Sequence, residues 1–318
     1  MNESSYISEL RELLAESAKR ITSSDSAILL SGGLDTSILA SIIASINNEV
    51  PAFTVVTDGG TDLEYAQKIA EKFDVEHHVI RVSQKELFDR IPEVIKSLGS
   101  FDPAIPNDLA IYMGLIKAKR NGVKNIITGD AADELFAGYN YMQNLHRADL
   151  VDYTRYLSQN MSFSSNRLGH KLGIDIKQPF RDEKVVEFSL NLEPEMKVKR
   201  VGNRTWGKWI LRKAYEEELG ELSWREKVPI EYGSGTTGLR ELIRNEIPDE
   251  VFEDRKRLYR MEFINKEHLY FYEVYRRFVG EVKKADKGEN KCPGCGAGVK
   301  GYHCGICGYA YPIEDIRW

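Results

Sequence analysis

Residues 27–37 read Ala-Ile-Leu-Leu-Ser-Gly-Gly-Leu-Asp-Thr-Ser. Four apolar residues, Ala27 to Leu30, predict a buried strand, and Ser37 to Ile46 carries apolar residues at helical spacing. The glycines between them therefore mark a strand-to-helix turn. Gly32 and Gly33 remove side-chain bulk where an anion would approach backbone N–H groups, and the helix that follows aims its N-terminus at that anion. Ser31, Thr36 and Ser37 add hydroxyl donors. Asp35 is a candidate magnesium ligand, because Mg2+ prefers carboxylate, water and phosphate oxygens. Ser-Gly-Gly alone also fits a plain tight turn, but all seven residues in this setting favour a phosphate loop.

Outward from the loop the pattern repeats. Ala52 to Val56 predicts a second strand, leading through Asp58-Gly59-Gly60 into a helix near residues 62–73. His77 to Val82 is a third strand, followed by another helix. Ile111 to Lys119 continues the helical pattern, and Asn125 to Thr128 makes a fourth strand ending at Gly129-Asp130. Strands alternating with helices predict an α/β fold, a parallel sheet flanked by helices on both faces. Ligands of such sheets collect beyond the carboxyl ends of the strands, where both the loop and Asp130 fall.

The chain divides into five segments on this reading. Residues 1–20 form a packing helix with Ile7, Leu10, Leu13, Leu14 and Ala18 on one stripe, and residues 21–143 form the α/β core. Residues 144–280 form a mainly helical extension, with Gly233 to Gly238 as a mobile loop over a site. The charged stretch 281–291 is a linker, and 292–318 is a small cysteine-bearing module.

A second cluster follows the fourth strand: Gly129-Asp130-Ala131-Ala132-Asp133-Glu134-Leu135-Phe136-Ala137-Gly138-Tyr139. Three acids at a strand end are costly to bring together without a metal or cations, and magnesium with pyrophosphate would supply that partner. Helix capping by Asp130 and Asp133 is the alternative. Gly202-Asn-Arg-Thr-Trp-Gly-Lys208 nearly fits another phosphate-loop pattern, but Trp209 stands where a magnesium-binding hydroxyl is required and no strand precedes it.

The sequence of 318 residues is 42% hydrophobic and 29% charged, which suits a globular protein. A formal charge of −5 gives no global reason to expect nucleic acid as a partner. No apolar run is long enough to span a membrane, and the polar start does not resemble a signal peptide. All four cysteines lie between Cys292 and Cys307. That usage predicts a cytoplasmic, reducing setting with the thiols on a metal. Cys292-x2-Cys295 and Cys304-x2-Cys307 make two knuckles, with Gly294, Gly296, Gly305 and Gly308 easing their turns. Four thiolates suit a closed, structural tetrahedral Zn2+, with an iron–sulfur centre as the alternative and His303 unnecessary as a ligand. Basic and acidic residues are nearly balanced from 281 onward, so protein docking or stabilisation is favoured over RNA binding. Tyr302, Tyr309, Tyr311 and Trp318 form either a binding surface or a cover for the module.

The loop at 31–37 and the segment Asp130 to Tyr139 together resemble the synthetase domain of the glutamine-dependent asparagine synthetases, within the ATP pyrophosphatases that share this loop. Further matches keep the same order: Lys177-Gln178-Pro179-Phe180-Arg181-Asp182, Lys208-Trp209-Ile210-Leu211-Arg212, and Arg225-Glu226-Lys227. The resemblance spans roughly residues 20 to 240. It implies an adenine nucleotide alpha hydrolase-like fold, ATP and Mg2+ as ligands, and adenylation of a carboxylate with release of pyrophosphate, followed by displacement of AMP by ammonia. It further implies that Ser31, Gly32, Gly33, Asp35, Thr36 and Ser37 hold the phosphates. Asp35 and Asp133 would bind magnesium with Asp130 and Glu134 in support, and Lys208 would neutralise charge developing in the reaction. Without the resemblance, Lys208 reads as a surface lysine beside Trp206 and Trp209.

The match has departures. No glutaminase segment with a nucleophilic cysteine is visible, so the expected donor is ammonia, supplied free or by a separate glutaminase, with another amine or a sulfur donor as the alternative. In Leu98-Gly99-Ser100-Phe101-Asp102-Pro103, Gly99 stands where the family carries a glutamate that activates the amine. An arginine expected shortly afterwards is also missing, and Asp108 is the candidate replacement base. An amide-forming ligase acting on a small carboxylate leads. Modification of tRNA or another macromolecule through an adenylated intermediate, and a non-enzymatic nucleotide-sensing or assembly subunit, are the alternatives.

Overall fold

A computed structural model describes residues 2–259, 261–301 and 303–311. Tyr302 and Trp318, two of the four aromatic residues noted near the cysteines, lie outside the described residues. Five strands, β1 (Ser26–Leu29), β2 (Ala52–Val56), β3 (His77–Arg81), β4 (Asn125–Ile127) and β5 (Asp175–Lys177), form one sheet in the order β3-β2-β1-β4-β5. Every neighbouring pair is parallel. The chain winds from β1 out to β3, then returns to place β4 on the other side of β1. The order therefore reverses between β1 and β4, which opens a crevice at their carboxyl ends.

Strand alternation feeds two cores. Ala27, Phe53 and Ile126 face one side of the sheet, where they meet helices α4 (Gln84–Leu98) and α5 (Ile105–Arg120) and the late helix Lys266–Phe278. Ile28, Ala52 and Ile127 face the other side, against α1 (Glu3–Ile21), α2 (Leu34–Ile46) and α3 (Asp62–Lys72). α1 buries Leu10, Leu14 and Ala18 at a four-residue spacing, and each buried leucine contributes about 2 kcal/mol.

Three features differ from the sequence reading. α2 begins at Leu34, with Gly33 as its N-cap, so Asp35, Thr36 and Ser37 occupy its first turn rather than a loop. The region expected to be mainly helical supplies β5, and its Lys199–Val201 strand pairs with Arg204–Trp206 as a hairpin. Gly202 lies in the turn of that hairpin, which accounts for the false phosphate-loop pattern. Residues Ile230–Gly233 and Thr236–Gly238 form short helical turns, and the Ser234 carbonyl accepts from Thr57 N–H beside the end of β2 (2.8 Å).

Candidate active site

The first turn of α2 delivers Asp35 to the crevice, where the helix N-terminus favours its negative charge. Above it, Ser31 Oγ lies 3.1 Å from Thr36 Oγ1 and accepts from Gly33 N–H at 3.2 Å, which fixes the turn. Gly32 has φ +70, and a Cβ there would stand 2.5 Å from Ala66 N. Only glycine lets the loop lie this close to α3.

Across the crevice, β4 runs into the five-residue helix α6 (Ala132–Phe136). Ala131 and Ala137, at its two ends, have φ of +77 and +56, and Lys208 has φ +55. Left-handed conformations cost a residue with a side chain about 1–2 kcal/mol, and these three lie together around one cluster. Lys208 is held there because its backbone N–H donates to Phe136 O at 2.9 Å. Its ammonium donates to both oxygens of Asp35 (2.8 and 2.6 Å) and pairs with Asp133 at 2.8 Å. Lys227 pairs with the same Asp133 oxygen at 2.6 Å and lies 4.1 Å from the Tyr139 ring centroid.

Lys208 is thus a buried bridge between two acids, not a surface lysine. Burial works to raise the Asp133 carboxyl, yet Lys208 and Lys227 overcome it and hold that group at about 2. Burial raises the Asp35 carboxyl, partly offset by Lys208 and reinforced by Asp133. For Lys208 burial favours the neutral amine, but both acids outweigh it and keep the ammonium. Glu134 is raised by burial and by Asp133, and it accepts from Tyr139 Oη at 2.6 Å.

Asp130 does not cap α6. Its Oδ2 instead accepts from Thr128 Oγ1, Ser165 Oγ and Gln178 Nε2, each at 2.7 Å. Arg225 closes the remaining side. It donates to Gly32 O at 2.8 Å and to Asp62 at 2.5 Å, with its guanidinium 3.7 Å from the Tyr65 ring centroid. Arg212 stays beneath the site, donating to the carbonyls of Gly207, Ser223 and Arg225.

These groups line a cavity of about 480 Å³. Leu29, Phe53, Val55, Ala110 and Ile111 form an apolar wall, while Ser31, Asp35, Thr36, Asp130, Asp133, Glu134 and Lys208 form the polar one. An apolar slot beside convergent charges suits a molecule with a flat apolar part and an anionic tail. Gly33 reaches the cavity, whereas Gly32 packs on α3 and Ser37 is buried with its Oγ unpartnered.

Asp108 is not brought to this cavity. It is buried beside the cavity-lining face of α5, near Ser164, Asp102 and Arg167, and burial pushes its carboxyl up to about 7. Asn107, one residue earlier, lines the cavity instead. In the sequence Arg225 and Lys227 stand only as part of a motif, and nothing local signals their ion pairs with Asp62 and Asp133. The three bonds that hold Asp130 have no such signal either.

A sequence model of the asparagine synthase family matches residues 9–150 and 142–284. The chain belongs to the asparagine synthase family. It is 30% identical over 261 residues to a probable glutamine-hydrolysing asparagine synthetase of Dictyostelium discoideum, covering 72% of this chain and 47% of that protein. It is 29% identical over 271 residues to the glutamine-hydrolysing asparagine synthetase B of Escherichia coli strain K12, covering 77% and 49%. The chain therefore spans about half the length of the curated relatives it matches. NMN synthetase from Francisella tularensis aligns with 77% of this chain and 96% of that one, at 14% identity and a TM-score of 0.32. Among the described residues, no helix is long and apolar enough to cross a membrane.

The match to the family model ends at residue 284. Beyond it, the Sγ atoms of Cys292, Cys295, Cys304 and Cys307 all lie within 4.8 Å of one another, and all four residues are buried. The cross-knuckle pairs Cys292–Cys307 and Cys295–Cys304 are 3.6 and 3.7 Å apart. Four sulfurs about 2.3 Å from a tetrahedral centre have edges of about 3.8 Å, so the arrangement fits one metal ion. Gly296 N–H donates to Cys292 O and Gly308 N–H to Cys304 O, both at 2.9 Å, so the two turns share one geometry. His303 Nε2 is 3.2 Å from Asp102 Oδ2.

Proposed function

We propose that the chain activates a carboxylate or related carbonyl by transferring AMP from ATP, releasing pyrophosphate, and then passes the activated acyl group to ammonia. The observation that carries this reading is the Lys208 ammonium lying between Asp35 and Asp133 at the β1–β4 crevice. In the reaction the acceptor oxygen attacks the α-phosphorus, the α–β phosphoanhydride bond breaks, and pyrophosphate carries the electron pair away. Ammonia then adds to the acyl carbon and AMP leaves. Lys208 and Lys227 supply positive charge where negative charge grows on the phosphate oxygens, an effect commonly worth about 3–4 kcal/mol. Asp35 and Asp133 are the carboxylates that would hold Mg2+, and their hard oxygens on facing elements fit that ion. When bound, magnesium would neutralise the polyphosphate. Asp130 and Glu134 hold the acidic side in place, and Ser31 and Thr36 offer hydroxyls to the phosphates.

We propose a small carboxylate as acceptor. Every cysteine of the sequence belongs to the metal cluster, so the cavity offers no thiol to attack glutamine, and ammonia needs none. The cluster itself suits structural Zn2+. Incubation with ATP, ammonia and a panel of small carboxylates, with product chromatography, tests the reading. AMP and pyrophosphate are expected, and Lys208→Ala is expected to cut turnover at least 100-fold. ADP as the main product would overturn it.

A further inference from the structure

We propose that the four-cysteine module is a positioning device for the cavity wall contributed by α5. The contacts run unbroken from the cluster to that wall. Ile306 lies in the turn between Cys304 and Cys307, and its carbonyl accepts from Phe101 N–H at 2.7 Å and from Ser100 Oγ at 3.1 Å. Both donors belong to the short connection between α4 and α5. Ser100 Oγ also accepts from Asp102 N–H at 3.2 Å, so one hydroxyl ties the knuckle to the next peptide.

Asp102 is gripped from the same side. His303 meets its Oδ2, and Gly308 packs so tightly that a Cβ there would stand 2.7 Å from Asp102 Cγ and from Pro103 Cδ. The other oxygen of Asp102 accepts from Ala104 N–H at 2.8 Å, at the N-cap of α5. Helix N-termini have N–H groups without intrahelical partners, and Asp102 satisfies one of them. One turn further on, Asn107, Ala110 and Ile111 line the cavity.

The module is too small to have a core of its own, so the shape of its turns depends on the thiolates sharing one ion. Release of that ion frees the Ile306 carbonyl and with it the start of α5. The loop at Ser31–Ser37, on the opposite wall, makes none of these contacts. The cluster therefore sets the α5 wall and leaves the phosphate loop alone. The coupling does not depend on the proposed ligase reading.

Hydrogen exchange on the full chain separates the wall from the loop. Peptides covering residues 98–111 and 29–40 are followed with metal bound, after chelation, and after zinc is restored. Exchange at Phe101 and Ala104 is expected to rise at least tenfold on chelation and to recover with zinc, while residues 29–40 stay unchanged. Protection of 98–111 that persists when 292–308 loses its own would overturn the proposal, whatever reaction the chain performs. Ser100→Ala, which leaves all four cysteines in place, covers the case in which chelation unfolds the chain. It is expected to speed exchange at Phe101 and Ala104 several-fold at unchanged zinc content, and unchanged exchange there would overturn the coupling. In a turnover assay the same variant should raise KM several-fold for the substrate that seats on the α5 wall and leave kcat within twofold. Unchanged KM values for both ATP and the acceptor would overturn the positioning role.

Discussion

Gly138 faces Asp133 so closely that a Cβ at position 138 would stand 1.9 Å from Asp133 Oδ1 and 2.2 Å from Lys208 Cε. The residue has no positive φ to explain the glycine. Its role is to leave space for an ion cluster that has no slack, because the carboxylate it faces is the one paired with both Lys208 and Lys227.

Gly138→Ala is therefore expected to displace Asp133 or Lys208 and to cut pyrophosphate release about 100-fold, within the range typical for one misplaced electrostatic group. Gly122→Ala is the control. That glycine has φ +82 with nothing near its Cβ position, so the change should cost about 1–2 kcal/mol of stability and leave turnover per folded molecule unchanged. Urea unfolding and steady-state rates on both variants check the contrast.

Asp108 gives a prediction about pH. Its folded carboxyl is raised from 3.8 to about 7, so the fold prefers the protonated form. The associated stability is fully present below about pH 4 and is lost as pH rises toward 7, at roughly 1.4 kcal/mol per unit. Asp108→Asn keeps an acceptor for Ser164 without the buried charge. It should match the wild type near pH 4 and be more stable by a few kcal/mol at pH 8, measured by denaturant unfolding at both values. Because Asp108 does not line the cavity, pyrophosphate release should persist in this variant. A loss above tenfold would restore it as a base.

That correction shows where sequence reading stops. The strand, turn and helix around residues 27–46 are legible because apolar periodicity and two glycines act locally. α5 is different, since Ile105, Pro106, Asp108, Leu109, Ala110 and Tyr112 are all buried and no polar face fixes its rotation. One residue is 100° of helix, which is the whole difference between Asn107 on the cavity and Asp108 behind it. β5 is illegible in the sequence for a related reason. Asp175-Ile176-Lys177 has one apolar residue, and its strand exists through its register with Asn125 to Ile127. Asp35 and the acids after β4 stand out in the sequence because they follow strand ends, but their cationic partners come from distant turns that only the folded chain brings near.

The cysteine cluster predicts a metal content. Purified chain should hold close to one zinc, and Cys292→Ser or Cys304→Ser should release it. Loss of the ion should also lower thermal stability, since buried Cys292, Cys295, Cys304 and Cys307 share one core with Phe101, Tyr272 and Tyr275. Elemental analysis that found iron with sulfide would replace zinc by a cluster.

Arg225 supplies the last prediction. One nitrogen of its guanidinium donates to the Gly32 carbonyl, another to Asp62, and the plane lies over the Tyr65 ring. The ion pair is almost fully buried, with side-chain exposures of 9% and 8%, so solvent screens it little. Burial raises the Asp62 carboxyl, and Arg225 opposes that rise. A lysine would keep the charge but cannot make two diverging bonds while stacking on a ring. Arg225→Lys is thus expected to free the Gly32 carbonyl and loosen the phosphate loop, raising the ATP KM about tenfold. Asp62→Asn leaves the Gly32 bond available and should raise it less. Arg225→Ala strands a buried carboxylate and should destabilise the fold by about 3–5 kcal/mol as well. ATP titrations and unfolding curves on the three variants separate the two roles. Equal ATP KM values for Arg225→Lys and the wild type would remove Arg225 from the positioning of the loop.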